Sequence, residues 1–144
     1  MKIQQLLLTA FVLSTFTLAT ADDKKEAAPA ETKKAERFFE MRTYHCNEGK
    51  LDALNARFRD HTNNLFVKHG MDLIGYWVPT DRKDVLVYIL GYPDKESREK
   101  SWKAFMADPE WKKVFAASRE AAGGPLVKKV DSEFLTPTDY SPIK

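Results

Sequence analysis

The chain has 144 residues, 43% hydrophobic and 31% charged, which suits one small soluble domain with appendages. Its 23 basic and 21 acidic residues nearly cancel, leaving a formal net charge of +2, and the basic ones are scattered. That balance leaves no electrostatic footprint for a nucleic acid or an anionic surface.

The first segment reads as a targeting signal. Met1-Lys2 supplies a positive start, Leu6 to Leu18 an apolar run too short for a stable anchor, and Ala19-Thr20-Ala21 a small-x-small cleavage site. Residues 1–21 are therefore expected to be a signal peptide cleaved after Ala21. The mature protein would be secreted or periplasmic, with no membrane association after cleavage. Residues 22–36 mix Lys, Glu, Ala and Pro without a large apolar side chain, so they read as a disordered tether. The folded domain is expected over 37–144. Cys46 is the sole cysteine, which rules out an intramolecular disulfide and makes burial its default.

Phe38 to Cys46 is expected to be the first strand. Under period-two alternation Phe39, Met41 and Thr43 share one face, and Glu40, Arg42 and Tyr44 the other, each about 7 Å from the next. Asn47-Glu48-Gly49 makes a turn. Leu51, Leu54, Phe58, His61 and Leu65 then recur at helical spacing, and Lys68-His69-Gly70 closes that helix. Met71–Val78 and Asp84–Tyr92 read as two strands joined around Pro79 to Arg82, a hairpin. Asp94 is placed as N-cap of a second helix and Asp108, before Pro109, as N-cap of a third. Trp111, Val114, Phe115 and Ser118 would form the inner stripe of that third helix. Gly123-Gly124-Pro125 stops it, and Val127–Leu135 is the last strand.

The order β-α-β-β-α-β predicts an α+β fold: a ferredoxin-like plait with a four-stranded antiparallel sheet and helices on one face. Strand three is apolar on both parities, Val85, Val87 and Ile89 against Leu86, Tyr88 and Leu90. An uncovered sheet face this apolar predicts a homodimer joined through it. Leu86→Lys or Leu90→Lys is expected to separate or unfold the dimer, since burying an unpaired charge is costly.

An acid, a base and a phenol in register on one strand face suit either of two arrangements. Glu40 and Arg42 can neutralise each other or symmetry mates as a structural ion pair. Alternatively Glu40, Arg42 and Tyr44, with Trp77 and Tyr88 from the neighbouring strands, line a ligand site in which the planar fork of Arg42 takes a carboxylate. The three histidines, His45, His61 and His69, lack metal-ligand spacing, so no metal site is expected. His61 falls on the apolar helix stripe, as a core histidine would. His69 is explained by helix capping, and His45 is expected near the strand edge. No catalytic residue set is assigned and no cofactor motif is present.

Phe39-Glu40-Met41-Arg42-Thr43-Tyr44, Gly49-Lys50, His69-Gly70 with Gly75-Tyr76-Trp77, Arg98, Trp102, Asp108-Pro109-Glu110-Trp111, Leu135-Thr136-Pro137-Thr138 and Ser141-Pro142 together resemble the NIPSNAP domain family. The resemblance spans nearly all of residues 37–144. It implies a dimeric α+β barrel, a fold shared with small ligand-binding proteins and cofactor-free monooxygenases. The resulting expectation is a homodimer binding a small, mainly apolar molecule in the barrel cavity. The alternatives are a cofactor-independent monooxygenase-like or isomerase-like enzyme, and a structural or interaction module whose cavity is filled by side chains.

Overall fold

The computed structural model describes residues 37–144; the expected signal and tether lie outside the described residues. Four strands, β1 (Phe38–Cys46), β2 (Asp72–Trp77), β3 (Val85–Tyr92) and β4 (Val127–Leu135), form one sheet in the order β2-β3-β1-β4. Every neighbouring pair is antiparallel. With helices between β1 and β2 and between β3 and β4, this is the predicted ferredoxin-like plait. No helix among the described residues is long and apolar enough to cross a membrane.

Register decides which face the helices cover. Arg42 pairs with Tyr88 and Tyr44 with Leu86, so the even positions of β1 and β3 share a face. Leu86, Tyr88, Leu90 and Tyr92 are all buried there, with Tyr44 packed against them, beneath Leu54, Phe58, Phe66 and Phe105 from the helices. Leu86 and Leu90 are thus 3% and 0% exposed inside the domain's own core. This corrects their expected place at an interface: both parities of β3 are apolar, and only the helix positions decide which one faces outward. The helix-free face carries Met41, Val87 and Ile89, each half-buried.

Both expected N-caps form. The Asp94 carboxylate accepts from the Ser97 N–H at 2.6 Å and opens α3 (Lys95–Ala107). Asp108 accepts from the Glu110 N–H at 2.7 Å and opens α4 (Pro109–Ala121), with Pro109 in its first turn. Of the stripe expected on α4, only Trp111 is buried, at 9% exposed, whereas Phe115 is 38% exposed. The helix packs on the first helix and on α3 and leaves its flanks open.

The first helix departs from regular spacing. Between α1 (Leu51–Arg57) and α2 (Asn63–Lys68) the chain runs through a π-helical turn, Phe58–Thr62. The Asn63 N–H donates to the Phe58 carbonyl five residues back, and the Thr62 hydroxyl donates to the Arg57 carbonyl at 3.2 Å. A π turn takes in one extra residue, and the buried positions run Leu54, Arg57, Phe58, Thr62, Leu65 and Phe66. His61, expected on the apolar stripe, is carried out to solvent, and the buried position it would have filled belongs to Thr62.

Asp108 ties the helices together. Besides capping α4 it accepts from His69 Nε2 at 2.7 Å and pairs with Lys68 Nζ at 2.9 Å, so the end of α2 is fastened to the α3–α4 junction. The side chain of Lys68, followed by that of His69, holds the Asp108 carboxyl far below the usual carboxylate range. A depressed folded-state pKa gives stability that is complete above about pH 4 and lost as the pH falls through the folded value. Asp108→Ala should lower stability at pH 7 through loss of the cap alone. Asp108→Asn keeps a capping oxygen and should cost less, and its deficit should shrink from pH 7 to pH 2. Urea midpoints at both pH values check this; a deficit that grows on acidification contradicts it.

Candidate functional site

β1 places Glu40, Arg42 and Tyr44 on the helix-covered face, under the domain's own α3 rather than on the open side. The Glu40 carboxylate is completely buried. It accepts five hydrogen bonds: from Arg42 Nη1 at 2.6 Å, Arg98 Nε at 2.8 Å and Nη2 at 2.9 Å, Trp102 Nε1 at 2.9 Å and Ser132 Oγ at 3.0 Å. Arg98 binds side-on through two nitrogens, the strongest geometry available to a carboxylate. Burial alone pushes the Glu40 pKa up, but the Arg98 hydrogen bonds and the Arg42 charge outweigh it and hold it below the ordinary value. Glu40 is therefore an ionised anchor joining β1, β4 and α3. Its two oxygens have little capacity left for a ligand.

Arg42 is held between this anchor and aromatic rings. Its guanidinium carbon lies 4.4 Å from the Trp102 ring centroid and 5.6 Å from that of Tyr44. One Arg42 nitrogen serves Glu40, while its buried Nε has no hydrogen-bond partner among the described residues. Tyr88, 0% exposed, lies edge-on to Tyr44 with ring centroids 5.2 Å apart and stacks on Tyr76 at 5.5 Å. The Tyr76 hydroxyl is likewise buried without a partner among the described residues, that of Tyr88 is buried against Tyr44, and burial raises the pKa of both phenols. Four of the five residues expected to line a site thus come together: Glu40, Arg42, Tyr44 and Tyr88.

Trp77 does not join them. A bulge between Leu73 and Gly75 puts it on the helix-free face, 52% exposed. Its indole folds back over Gly75, where a Cβ would sit 2.5 Å from the ring, so a side chain at that position would have to displace the indole. Cys46 is buried as expected, at 1% exposure, and burial raises the pKa of its thiol. His45 meets Asp131 at 2.8 Å. No group of three His, Cys, Asp or Glu side chains among the described residues could hold a metal ion.

Arg57 was not singled out from the sequence, yet it is only 6% exposed. It sits three residues after Leu54, and a base on an apolar stripe is the signal that was available. Its Nη1 reaches Ser118 Oγ at 3.2 Å, and its guanidinium lies over the Trp111 and Phe115 rings at 5.3 and 5.4 Å. Two clefts flank α4 at this point. One, of about 430 Å³, runs between α4 and β4 and is lined by Tyr44, Arg57, Trp111, Phe115 and Val130 among others. The second, of about 620 Å³, is an alanine-rich groove between α1 and α4. Both volumes are in the range of small-molecule sites.

The Glu40 anchor generates a test. Glu40→Gln leaves two arginines, only 15% and 21% exposed, without their counter-charge. The loss should approach the roughly 3–5 kcal/mol of a broken buried pair. Because the folded-state pKa of Glu40 is lowered, its contribution is complete above about pH 4 and falls away on acidification. The variant should therefore melt far below the parent at pH 7 and approach it near pH 2. Arg42→Met should cost less than Arg98→Met, since Arg98 supplies two of the bonds. Equal melting of parent and Glu40→Gln at pH 7 would remove the anchor role.

The comparisons with known proteins agree with this architecture. A NIPSNAP family protein of unknown function from Agrobacterium tumefaciens has a similar crystal structure, with a TM-score of 0.67 at 22% identity over 76% of this chain and 96% of that one. An uncharacterised NIPSNAP-like domain protein from Burkholderia xenovorans superposes with a TM-score of 0.66 at 22% identity, covering 75% of this chain and 90% of that one. A variant of SnoaB, a cofactor-independent oxygenase from Streptomyces nogalater, shares the fold more distantly, with a TM-score of 0.53 at 15% identity over 75% of this chain and 99% of that one. No curated protein sequence matches the chain. The NIPSNAP family model matches residues 39–142, all but the edges of the folded domain, and the chain belongs to the NIPSNAP family.

Proposed function

We propose that this protein is an exported homodimer that binds a small, mainly apolar molecule between its helices and its sheet. One observation carries the binding part. The hydroxyl of Tyr76 and the Nε atoms of Arg42 and Arg57 are buried without hydrogen-bond partners among the described residues, near a Tyr44 that lines an open cleft. Buried polar groups are nearly always paired in folded proteins, so several unpaired ones in one region call for a polar occupant. The surrounding aromatic walls call for an apolar body.

The cofactor-independent oxygenase activity named for SnoaB offers a rival reading. It would need a proton acceptor poised near neutrality. Glu40 is held ionised by five donors, and His45 and His69 are engaged with Asp131 and Asp108 away from the cleft. Binding is the reading the geometry supports better.

The dimer rests on surfaces that one subunit leaves uncovered. The helix-free face presents Met41, Val87, Ile89 and the half-exposed Trp77. β4 adds Leu135, 36% exposed, to the same face. Export rests on the sequence signal over residues 1–21.

A native mass spectrum of protein from its own host tests all three parts. The expected species is a dimer of chains starting at Asp22, each with a retained small molecule. A monomer, a chain starting at Met1, or a bare mass at every charge state overturns the corresponding part. Ile89→Lys, which puts a charge on the open face, should convert the dimer to a folded monomer in light scattering. Leu90→Lys should instead unfold the domain. A dimer that survives Ile89→Lys contradicts the proposed interface.

A further inference from the structure

We infer that the cleft between α4 and β4 is an anion-recognition site, in which Arg57 grips the carboxylate of an aromatic or apolar acid. This rests on the binding reading above and adds the chemistry of the ligand.

The domain itself supplies the comparison. Arg42 and Arg98 are mostly buried, and both are neutralised by Glu40. Arg57 is buried to 6% exposure, yet no carboxylate among the described residues pairs with it. It has a single neutral partner, Ser118 Oγ at 3.2 Å, and its Nε has none. Arginines are almost never this buried unless paired. The Trp111 and Phe115 rings, 5.3 and 5.4 Å away, recover only part of the hydration a guanidinium loses. Burial accordingly lowers its pKa, while that of Arg42 is raised.

The surroundings repeat the sign. Every charged residue lining this cleft is basic: Arg57 inside, with Arg119, Lys128 and Lys129 towards the mouth. Lys129 is shared with Asp131 at 2.9 Å. Arg57 also borders the groove on the other flank of α4, which carries Asp60 and Glu110, but neither forms an ion pair with it. A recess lined by one sign of charge beside low-dielectric walls concentrates the field on an entering counter-ion. A guanidinium fork matches a carboxylate in plane, and Tyr44, Trp111 and Phe115 offer ring faces to the body behind it.

The test uses thermal shift and calorimetry on the full mature chain with alkanoates, aryl-alkanoates and naphthalene-2-carboxylate. Each is paired with its neutral amide, and inorganic phosphate is run alongside. At least one carboxylate should raise the melting temperature while its amide does not. Arg57→Met should weaken that binding on the order of a hundredfold, and should leave the ligand-free melting temperature unchanged or higher, because the charge it removes is unpaired. Arg57→Lys, which keeps the charge without the fork, should bind at an intermediate level. The exposed pair Arg119→Gln with Lys128→Gln should weaken binding more at low salt than at high salt, and it provides the reading if Arg57→Met fails to fold. Carboxylate and amide binding alike, no carboxylate binding at all, or phosphate matching the best carboxylate each overturn the inference. If the native spectrum shows a neutral occupant and no carboxylate binds, the binding reading stands and this one falls. A bare spectrum with no probe bound removes both.

Discussion

The fold hangs on one buried carboxylate. Glu40 sits at the centre of the sheet, on the strand flanked by β3 and β4, and its oxygens gather donors from β1, α3 and β4. A lone carboxylate in that position would be prohibitively costly. With two arginines, an indole N–H and a hydroxyl around it, the same charge becomes a fastening whose geometry admits few alternatives. Trp102 extends the network by donating also to the Tyr92 hydroxyl at 2.9 Å, so the end of β3 is bound into it. Such a network specifies one packing of α3 on the sheet in a way that apolar contacts, being non-directional, do not.

The same network divides the arginines of the core by role. Arg42 and Arg98 are charge partners of Glu40, whereas Arg57 meets aromatic rings and a serine. The Glu40–Arg42 pair posed two alternatives in sequence, and the geometry shows the ion pair to be made. Unfilled polar capacity remains at the Nε of Arg42, at the Tyr76 hydroxyl and at the helix base Arg57.

Much of this was legible from local rules. Alternation in β1 separated Glu40, Arg42 and Tyr44 from Phe39 and Met41, and cap chemistry located Asp94 and Asp108 to the residue. The element order alone sufficed for the plait. Contacts across long sequence separations were not legible. Nothing near Glu40 pointed to Arg98 or Ser132, which lie 58 and 92 residues away. Equal apolarity on the two sides of β3 hid which side faces the helices, so Leu86 and Leu90 were assigned outward. The π turn was invisible because regular spacing had a plausible histidine to offer at position 61, and one added residue was enough to exchange it for Thr62. Arg57 was overlooked because bases on helices are usually solvated, and only its depth sets it apart.

The cleft beside α4 has two unlike walls. On one side Arg57, Trp111 and Leu126 are packed into the core, at 6%, 9% and 2% exposure. The other is β4, an edge strand that pairs only with β1 and buries almost none of its side chains on either face. Elements with few buried contacts open at lower free-energy cost than the core they border. The recess is built as a rigid jaw facing a compliant one. A guest bound there as proposed would enter by local parting of an edge strand from β1, which touches the Glu40 fastening only at the bond to Ser132, and its residence time would then be set by how often that strand opens.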